Sequence, residues 1–171
     1  MTSSFHRIFI FLTMLYEKGV HIKILSMSSH QRMIISLLDK IESLVPSYLA
    51  IEEDRIKANG CVAVCIIDGS GNVYGRIFGD DKIVGRERYR VAWTKASQSW
   101  ITGMKTADFE KLAFNGMIDE KKFGIRRPDY IGWEGGQPIA LPDGSTIFAG
   151  FSGFRGTSDL EIVSKAVMQL K

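Results

Sequence analysis

An apolar stripe at helical spacing predicts a long helix near the start of the chain. The stripe begins after Ser28 and Ser29, either of which is well placed to cap a helix. Pro46 is expected to kink this helix or to begin a second one, which Asn59-Gly60 would end. Successive members of the stripe lie three or four residues apart: Met33, Leu37, Ile41 and Leu44.

Two strand–turn–strand patterns predict two β-hairpins. The first joins CVAVCIID (residues 61–68) to NVYGRIF (residues 72–78) through an Asp-Gly-Ser-Gly turn. The second joins residues 137–141 to STIFAGFS (residues 145–152) through a Pro-Asp-Gly turn. Because CVAVCIID is apolar at every position but the last, we expect a central strand that is covered on both faces.

Three more helices are predicted around the hairpins. They span residues 86–103, residues 106–116 and the C-terminal segment, which follows a capping box formed by Ser158 and Glu161. Residues 119–133 are charged and lack periodicity, which is typical of a long surface loop. The order helix, hairpin, helices, hairpin, helix predicts an α/β (α+β) fold, with a central antiparallel sheet flanked by helices.

Composition points to one globular domain without a nucleic-acid or membrane partner. The chain has 171 residues, 45% of them hydrophobic, and a net charge of +3 without a basic cluster. We expect residues 28–171 to form the domain. Residues 1–27 are expected to be an extension that is either poorly packed or upstream of a functional start at Met27. Its apolar run is too short to span a bilayer as a helix.

The cysteines and histidines argue against a metal centre or a catalytic triad. Cys61 and Cys65 would lie on one face of one strand, too far apart for a disulfide. We therefore expect both to be buried and reduced, as in a cytoplasmic protein. His6, His21 and His30 all precede the predicted core. No catalytic residue and no metal ligand is predicted.

Four motifs occur in an order that is typical of one protein family. They are VAVCIIDGSGNVYGRI, AWTKASQSW, GGQPI and FAGFSG, the last followed by Asp159. Together they resemble the heme-binding HbpS/GlcG-like family, over residues 29 to 170. The resemblance implies a profilin-like fold, binding of heme or another carboxylate-bearing ligand, and a homo-oligomer. The exposed apolar surface expected around Trp93, Trp100 and Trp133 also favours self-association, in an even-numbered assembly.

The glycine-rich stretch from Trp133 to Gly153 has two interpretations. In the structural one, Gly135-Gly136 makes a tight turn before an edge strand, while Gly150 and Gly153 let a helix pack closely on the sheet. In the functional one, backbone N–H groups of this stretch line a pocket for an anionic group, next to the positive end of the last helix. The residues predicted to form that pocket are Gly135, Gly136, Ser152 and Gly153.

Three cationic side chains are candidates for holding the ligand. Lys95 is either partly buried, where it would pair with an acidic ligand, or extended to the edge of its helix. Arg126 and Arg127 are either solvated or grip a carboxylate, if their loop folds over the glycine turn. Asp159 is expected to support the N-terminus of the last helix.

Three functions remain open at this point. We expect a small-molecule binding protein rather than an enzyme. The alternatives are an enzyme that acts on a small organic acid or heme, and an oligomeric interaction protein without catalysis. Heme would be bound without a histidine from the core, so its iron would take a tyrosine such as Tyr130 or no protein ligand. Its propionates would be held by the three cationic side chains named above.

Overall fold

The computed structural model describes residues 27–125, 130 and 132–170. Residues Ser36–Lys171 form one compact unit that contains the whole sheet. In chain order the elements are α1 (Ser29–Leu49), α2 (Glu52–Ala58), β1 (Val62–Asp68), β2 (Val73–Phe78), α3 (Lys82–Thr102), α4 (Thr106–Phe114), a 3-10 helix (Glu120–Phe123), β3 (Gly136–Ala140), β4 (Thr146–Ser152) and α5 (Gly156–Met168). None of the helices in the described residues is long and apolar enough to cross a bilayer.

The four strands form one antiparallel sheet in the order β2-β1-β4-β3. Strand β1 lies inside it and is buried at all seven positions, as its continuous apolar run predicts. Strand β2 lies at one edge, and alternate side chains along it are exposed. At the opposite edge lies β3, which begins at Gly136, directly after Gly135. The predicted central antiparallel sheet flanked by helices is confirmed.

Helices cover both faces of the sheet. On one face, Cys65 of β1 packs in a buried cluster with Ala92 and Ala96 of α3. On the other face, an aromatic stack joins β4 to α1. The Phe151 and Phe154 rings are stacked with centroids 5.4 Å apart, and the Phe154 and Tyr48 rings with centroids 5.5 Å apart. The core therefore lies on both sides of the two inner strands.

Helix α1 begins where the sequence predicts and does not break at Pro46. The Ser28 Oγ accepts a hydrogen bond from the Gln31 N–H at 3.1 Å, and the Gln31 side chain accepts one from the Ser28 N–H at 3.0 Å. Pro46 lies in the last turn, and the Ala50 N–H still donates to its carbonyl at 3.1 Å. The proline removes only its own N–H donor from the helix. Because the last turn keeps its other hydrogen bonds, α1 continues to Leu49.

Helix α3 is longer than predicted. Its first residue is Lys82 rather than Arg86, because the Asp81 side chain caps it by accepting from the Ile83 and Val84 N–H groups at 2.9 and 3.0 Å. Its end agrees with the sequence, since Gly103 has the left-handed conformation (φ 69°) common after a helix.

The predicted capping box at Ser158 and Glu161 is wrong. Helix α5 begins at Gly156, and Ser158 already lies in its first turn. The Ser158 hydroxyl donates to Asp54 Oδ2 at 2.7 Å, and Glu161 Oε2 accepts from the Tyr48 hydroxyl at 3.0 Å. Both side chains therefore serve tertiary contacts with other helices instead of a local cap.

The predicted surface loop at residues 119–133 is partly buried. Ile125 and Tyr130 form a small cluster with Phe109 of α4, whose ring meets the Tyr130 ring edge-on at 5.7 Å. A 3-10 helix also lies within the segment. An aromatic anchor of this kind gives no periodic signal in the sequence, which explains the error.

Both cysteines are expected to resist thiol reagents in the folded protein. Cys61 and Cys65 are buried, and burial raises the pKa of the Cys65 thiol to about 11. Ellman's reagent should label both at least about a hundredfold more slowly than in denaturant, since reaction requires the core to open. Rapid labelling of Cys65 without denaturant would contradict the position of β1.

Candidate functional site

A buried ion pair joins helices α3 and α5 beside the end of β4. The Lys95 Nζ lies 2.8 Å from Asp159 Oδ2, and both side chains are 3% exposed. The ammonium also donates to the Phe151 carbonyl at 2.8 Å. The other carboxylate oxygen of Asp159 accepts from the Phe154 N–H at 2.9 Å. The Lys95 ammonium is therefore buried and does not extend to the solvent at the edge of α3. Asp159 is a partner of this ammonium and does not only support the start of α5.

The glycines make room for this pair. A Cβ atom on Gly135 would lie 2.6 Å from the Lys95 Nζ and 2.9 Å from the Phe151 carbonyl oxygen. Its φ of 113° is also rarely adopted by other residues. On Gly150, a Cβ would overlap the carbonyl of Ala92 in α3. Gly150 therefore lets α3 pack closely on the sheet, as the structural interpretation predicts. Gly135 also leaves the space that the Lys95 ammonium occupies.

Burial shifts the pKa values of both side chains of the pair in the direction that favours their uncharged forms. Desolvation raises the pKa of Asp159 to about 6, although the charge of Lys95 opposes this shift. Desolvation lowers the pKa of Lys95, and the nearby charges of Lys57 and Arg88 lower it further, while Asp159 opposes both. Such paired shifts in a cleft are common at functional sites.

A cavity of about 460 Å³ opens beside the ion pair. Three basic side chains and two acidic ones line it, which leaves one positive charge in excess. These side chains are Lys57, Arg88, Lys95, Glu134 and Asp159. Ser152 and Gly153 from the end of β4, and Gly156 at the start of α5, complete the polar part of the wall.

Arg88 is incompletely satisfied at the wall of this cavity. Its guanidinium donates to the Lys57 carbonyl and, at 3.4 Å, to the Ala58 carbonyl. Its Nε is buried and has no hydrogen-bond partner among the described residues. A buried donor without a partner costs free energy, and a ligand that accepts from it would recover that cost.

Glu134 covers the first turn of α5. A Cβ atom on Gly156 would lie 2.5 Å from Glu134 Oε2, so the carboxylate rests against the helix start. That position is favourable for an anion, because unpaired N–H groups give the N-terminus of a helix a partial positive charge. The cavity therefore already holds one carboxylate at a place suited to anions.

Only some of the predicted pocket residues come together here. Lys95, Ser152 and Gly153 line the cavity. The Gly136 N–H is not open to a ligand, because it donates to Thr106 Oγ1 at 3.3 Å. Gly153 packs against Val62 of β1 rather than against a helix. Arg126 and Arg127 lie outside the described residues.

Sequence reasoning missed Lys57, Arg88 and Glu134. Lys57 and Arg88 stand in polar stretches, and Glu134 stands between Trp133 and Gly135. For each of the three a solvated side chain is the ordinary expectation, and no local pattern marks it. Tyr130, the suggested iron ligand, packs against Phe109 and is not among the cavity-lining residues that the structure describes. Within the described ranges, no group of three or more His, Cys, Asp or Glu side chains could hold a metal ion.

Comparison with solved structures shows which fold this is. No protein-family model and no curated protein matches the sequence. A double mutant of HbpS from Streptomyces reticuli matches with a TM-score of 0.53 and 19% identity, over 80% of this chain and 84% of that one. Protein ORFY of Klebsiella pneumoniae, described as DUF336, matches with a TM-score of 0.55 and 15% identity, over 80% of this chain and 86% of that one. The complex of PduOC with heme matches with a TM-score of 0.53 and 18% identity, over 83% of this chain and 93% of that one.

These identities are low, and the likeness concerns the path of the backbone and the arrangement of its elements. It extends over four-fifths of this chain and agrees with the motifs that first indicated the resemblance. This chain therefore has the fold of the HbpS/GlcG-like proteins.

Proposed function

We propose that this protein binds a small carboxylate-bearing molecule in the cavity beside Lys95 and Asp159. The observation that carries the proposal is the unused hydrogen-bonding capacity of Lys95. An ammonium group has three N–H donors, and Lys95 uses two, to the Phe151 carbonyl and to Asp159. The third has no acceptor among the described residues, and Lys95 lines the cavity.

The cavity supplies further groups that suit an anion. A ligand carboxylate next to Lys95 would lie on the same wall as the Arg88 guanidinium, whose positive charge favours it. The apolar part of the ligand would pack on Val91 and on Trp133, whose side chain is 69% exposed. The volume of about 460 Å³ is that of a small-molecule site.

Heme is the first candidate ligand to test. It carries two carboxylates, and one structure with this fold was solved in complex with heme. The basic side chains fit the propionates. The iron is less well served, since no histidine, cysteine, methionine or tyrosine is among the described residues that line the cavity. Any bound heme would therefore be held through its carboxylates and its ring.

Equilibrium titration with heme and with a series of small carboxylates tests the proposal. Arg88→Gln removes a charged donor from the cavity, and we expect affinity for the best ligand to fall about tenfold. Arg86→Gln is the matched control, because its side chain lies on the same helix and is 77% exposed. Equal affinities of the two variants would overturn the proposal, provided that both melt at the same temperature.

Heme binding should not depend on histidine. Replacing His6, His21 and His30 together with alanine is expected to leave the Soret band and the heme affinity unchanged, because no histidine lies in the predicted core. Absorption spectra of the two proteins with heme provide the measurement. Loss of a six-coordinate spectrum in the triple variant would show that the N-terminal segment supplies a ligand.

Affinity for a carboxylate should rise as the pH falls. The pKa of Asp159 is about 6. Protonation below that pH removes the negative charge beside Lys95 and leaves the lysine charge for the ligand. We expect affinity to increase about three- to tenfold from about pH 7.5 to about pH 5.5, for a ligand that stays ionised. Asp159→Asn removes the group that titrates near pH 6, so the affinity should change less over this range than in the wild type; an equal slope in the variant would contradict the assignment.

The pair of Lys95 and Asp159 is also compatible with the enzyme alternative. Groups with pKa values shifted toward neutrality are suited to proton transfer, so turnover of a bound organic acid would favour the enzyme alternative. A cytoplasmic location, and the absence of nucleic-acid and membrane partners, remain predictions that rest on the cysteines and the charge.

A further inference from the structure

We infer that Lys95 forms an imine with the carbonyl carbon of a small oxo acid bound in the cavity that it lines. The inference rests on the proposed carboxylate site and assigns its ligand to a narrower class, acids that also carry a ketone or aldehyde group. Lys95 then acts twice: its charge attracts the acid, and its nitrogen binds the acid covalently.

The Lys95 nitrogen is held in place with one position left for a ligand. Its side chain is 3% exposed, yet it is one of the residues that line the cavity. Two of its three N–H groups donate to the Phe151 carbonyl and to Asp159, each at 2.8 Å. The third position on the nitrogen has no acceptor among the described residues, so it is the one at which a bound molecule would react.

The surroundings of Lys95 favour the uncharged amine that this reaction needs. An ammonium has no lone pair, so only the neutral form attacks a carbonyl carbon. Burial lowers the pKa of Lys95, and the charges of Lys57 and Arg88, which line the same cavity, lower it further, while Asp159 opposes the shift. Lysines that form imines in proteins are activated in this way, by desolvation or by a neighbouring cation.

Asp159 is placed to move the protons that the reaction requires. Its Oδ2 lies 2.8 Å from the Lys95 nitrogen, and its Oδ1 accepts from the Phe154 N–H at 2.9 Å. The carboxylate first takes a proton from the ammonium, and rotation about the Cε–Nζ bond directs the freed lone pair to the third position. The nitrogen then attacks the carbonyl carbon, forming a C–N bond while an electron pair of the C=O bond moves to oxygen.

The same carboxyl group completes the reaction. Asp159 protonates the new alkoxide, takes one of the two protons from the nitrogen and passes it to the hydroxyl group. The C–O bond breaks and water leaves, so that ammonium and carbonyl group have become a protonated imine and water. This imine carries the same single positive charge as the ammonium. Its one N–H stays with Asp159, and the reaction buries no new charge.

The charges of the cavity favour an oxo acid over a neutral carbonyl compound. Because the imine nitrogen stays paired with Asp159, the two other basic side chains of the wall, Lys57 and Arg88, remain for a carboxylate. Only one further acidic side chain, Glu134, is among the described residues that line the cavity. A carboxylate next to the carbonyl group, as in a 2-oxo acid, lies close enough to Lys95 to be attracted by the excess charge.

Borohydride trapping in the full-length protein tests the inference, with pyruvate as the probe. Reduction turns the imine into a stable secondary amine, which peptide mass mapping locates. We expect labelling of Lys95 at least about tenfold above that of Lys165, because an exposed lysine is almost wholly protonated at neutral pH. Lys165 is the matched internal control, since it forms an ion pair of the same 2.8 Å length with a side chain that is 50% exposed.

Two competitors locate the reaction and define the ligand. Lactate has the same carboxylate but no carbonyl group, so at saturation it should suppress labelling of Lys95 and leave that of Lys165 unchanged. Acetone, a neutral ketone, should label Lys95 less than pyruvate does. Labelling of Lys95 no greater than that of Lys165, or unchanged by saturating lactate, would overturn the inference.

Calorimetric titration separates this inference from the proposed function. Binding of pyruvate and lactate without an adduct at Lys95 would overturn the imine and leave the carboxylate site in place. Absence of binding by these two and by the other small carboxylates would overturn the site and the imine together.

Discussion

Replacing Lys95 with methionine should lower the free energy of unfolding by about 3–5 kcal/mol, the usual cost of removing one partner from a buried ion pair. The loss is large because Asp159 stays buried beside β4, where the Phe154 N–H is its one remaining partner among the residues that the structure describes. Urea unfolding at neutral pH provides the measurement. The deficit should be smaller near pH 5, because a buried carboxyl whose folded pKa is raised regains stability as it protonates.

Two further variants decide whether burial is the cause. Lys165→Met breaks an ion pair with Glu161 of the same 2.8 Å length, whose side chains are 50% and 52% exposed. It should cost less than about 1 kcal/mol. The double variant Lys95→Met, Asp159→Leu should be more stable than the sum of its single changes predicts, since neither charge is left alone. Equal losses from Lys95→Met and Lys165→Met would contradict this account.

Substituting alanine for Gly150 should destabilise the fold by at least about 3 kcal/mol, at the upper end of overpacking costs. The added Cβ would overlap the Ala92 carbonyl and lie 2.6 Å from the Ala96 backbone nitrogen. Both obstacles are backbone of α3, so relief requires the helix to move away from β4. Because Lys95 lies on the same helix, ligand affinity should fall as well.

Gly69→Ala is the matched control for this substitution. At Gly69 the nearest atom to an added Cβ would be the Thr146 carbonyl oxygen at 3.9 Å, an ordinary contact. We expect its effect on stability to stay within about 0.5 kcal/mol. Thermal and urea unfolding of the two variants give the comparison. A Gly150→Ala protein as stable as Gly69→Ala would mean that α3 does not pack on β4 as closely as the structure shows.

The features that the sequence determined are those that depend only on residues close together in the chain. The apolar run of β1 and the Asp-Gly-Ser-Gly turn predict the first hairpin, because strand burial and turn chemistry depend on neighbours in the chain. The end of α3 at Gly103 and the start of α1 at Ser28 follow from local capping. The order of these elements was enough to predict the antiparallel sheet flanked by helices.

Tertiary structure decided which polar side chains meet. Lys95 and Asp159 are 64 residues apart in sequence, and only the packing of α3 and α5 around β4 brings them together. Ser158 follows a capping pattern, yet it donates to Asp54, which is 104 residues away. A local pattern cannot reveal such a competitor, because the free energy of a long-range hydrogen bond depends on the burial that the whole fold creates. For this reason the sequence predicted the fold well, while the cavity and its partners became visible only in three dimensions.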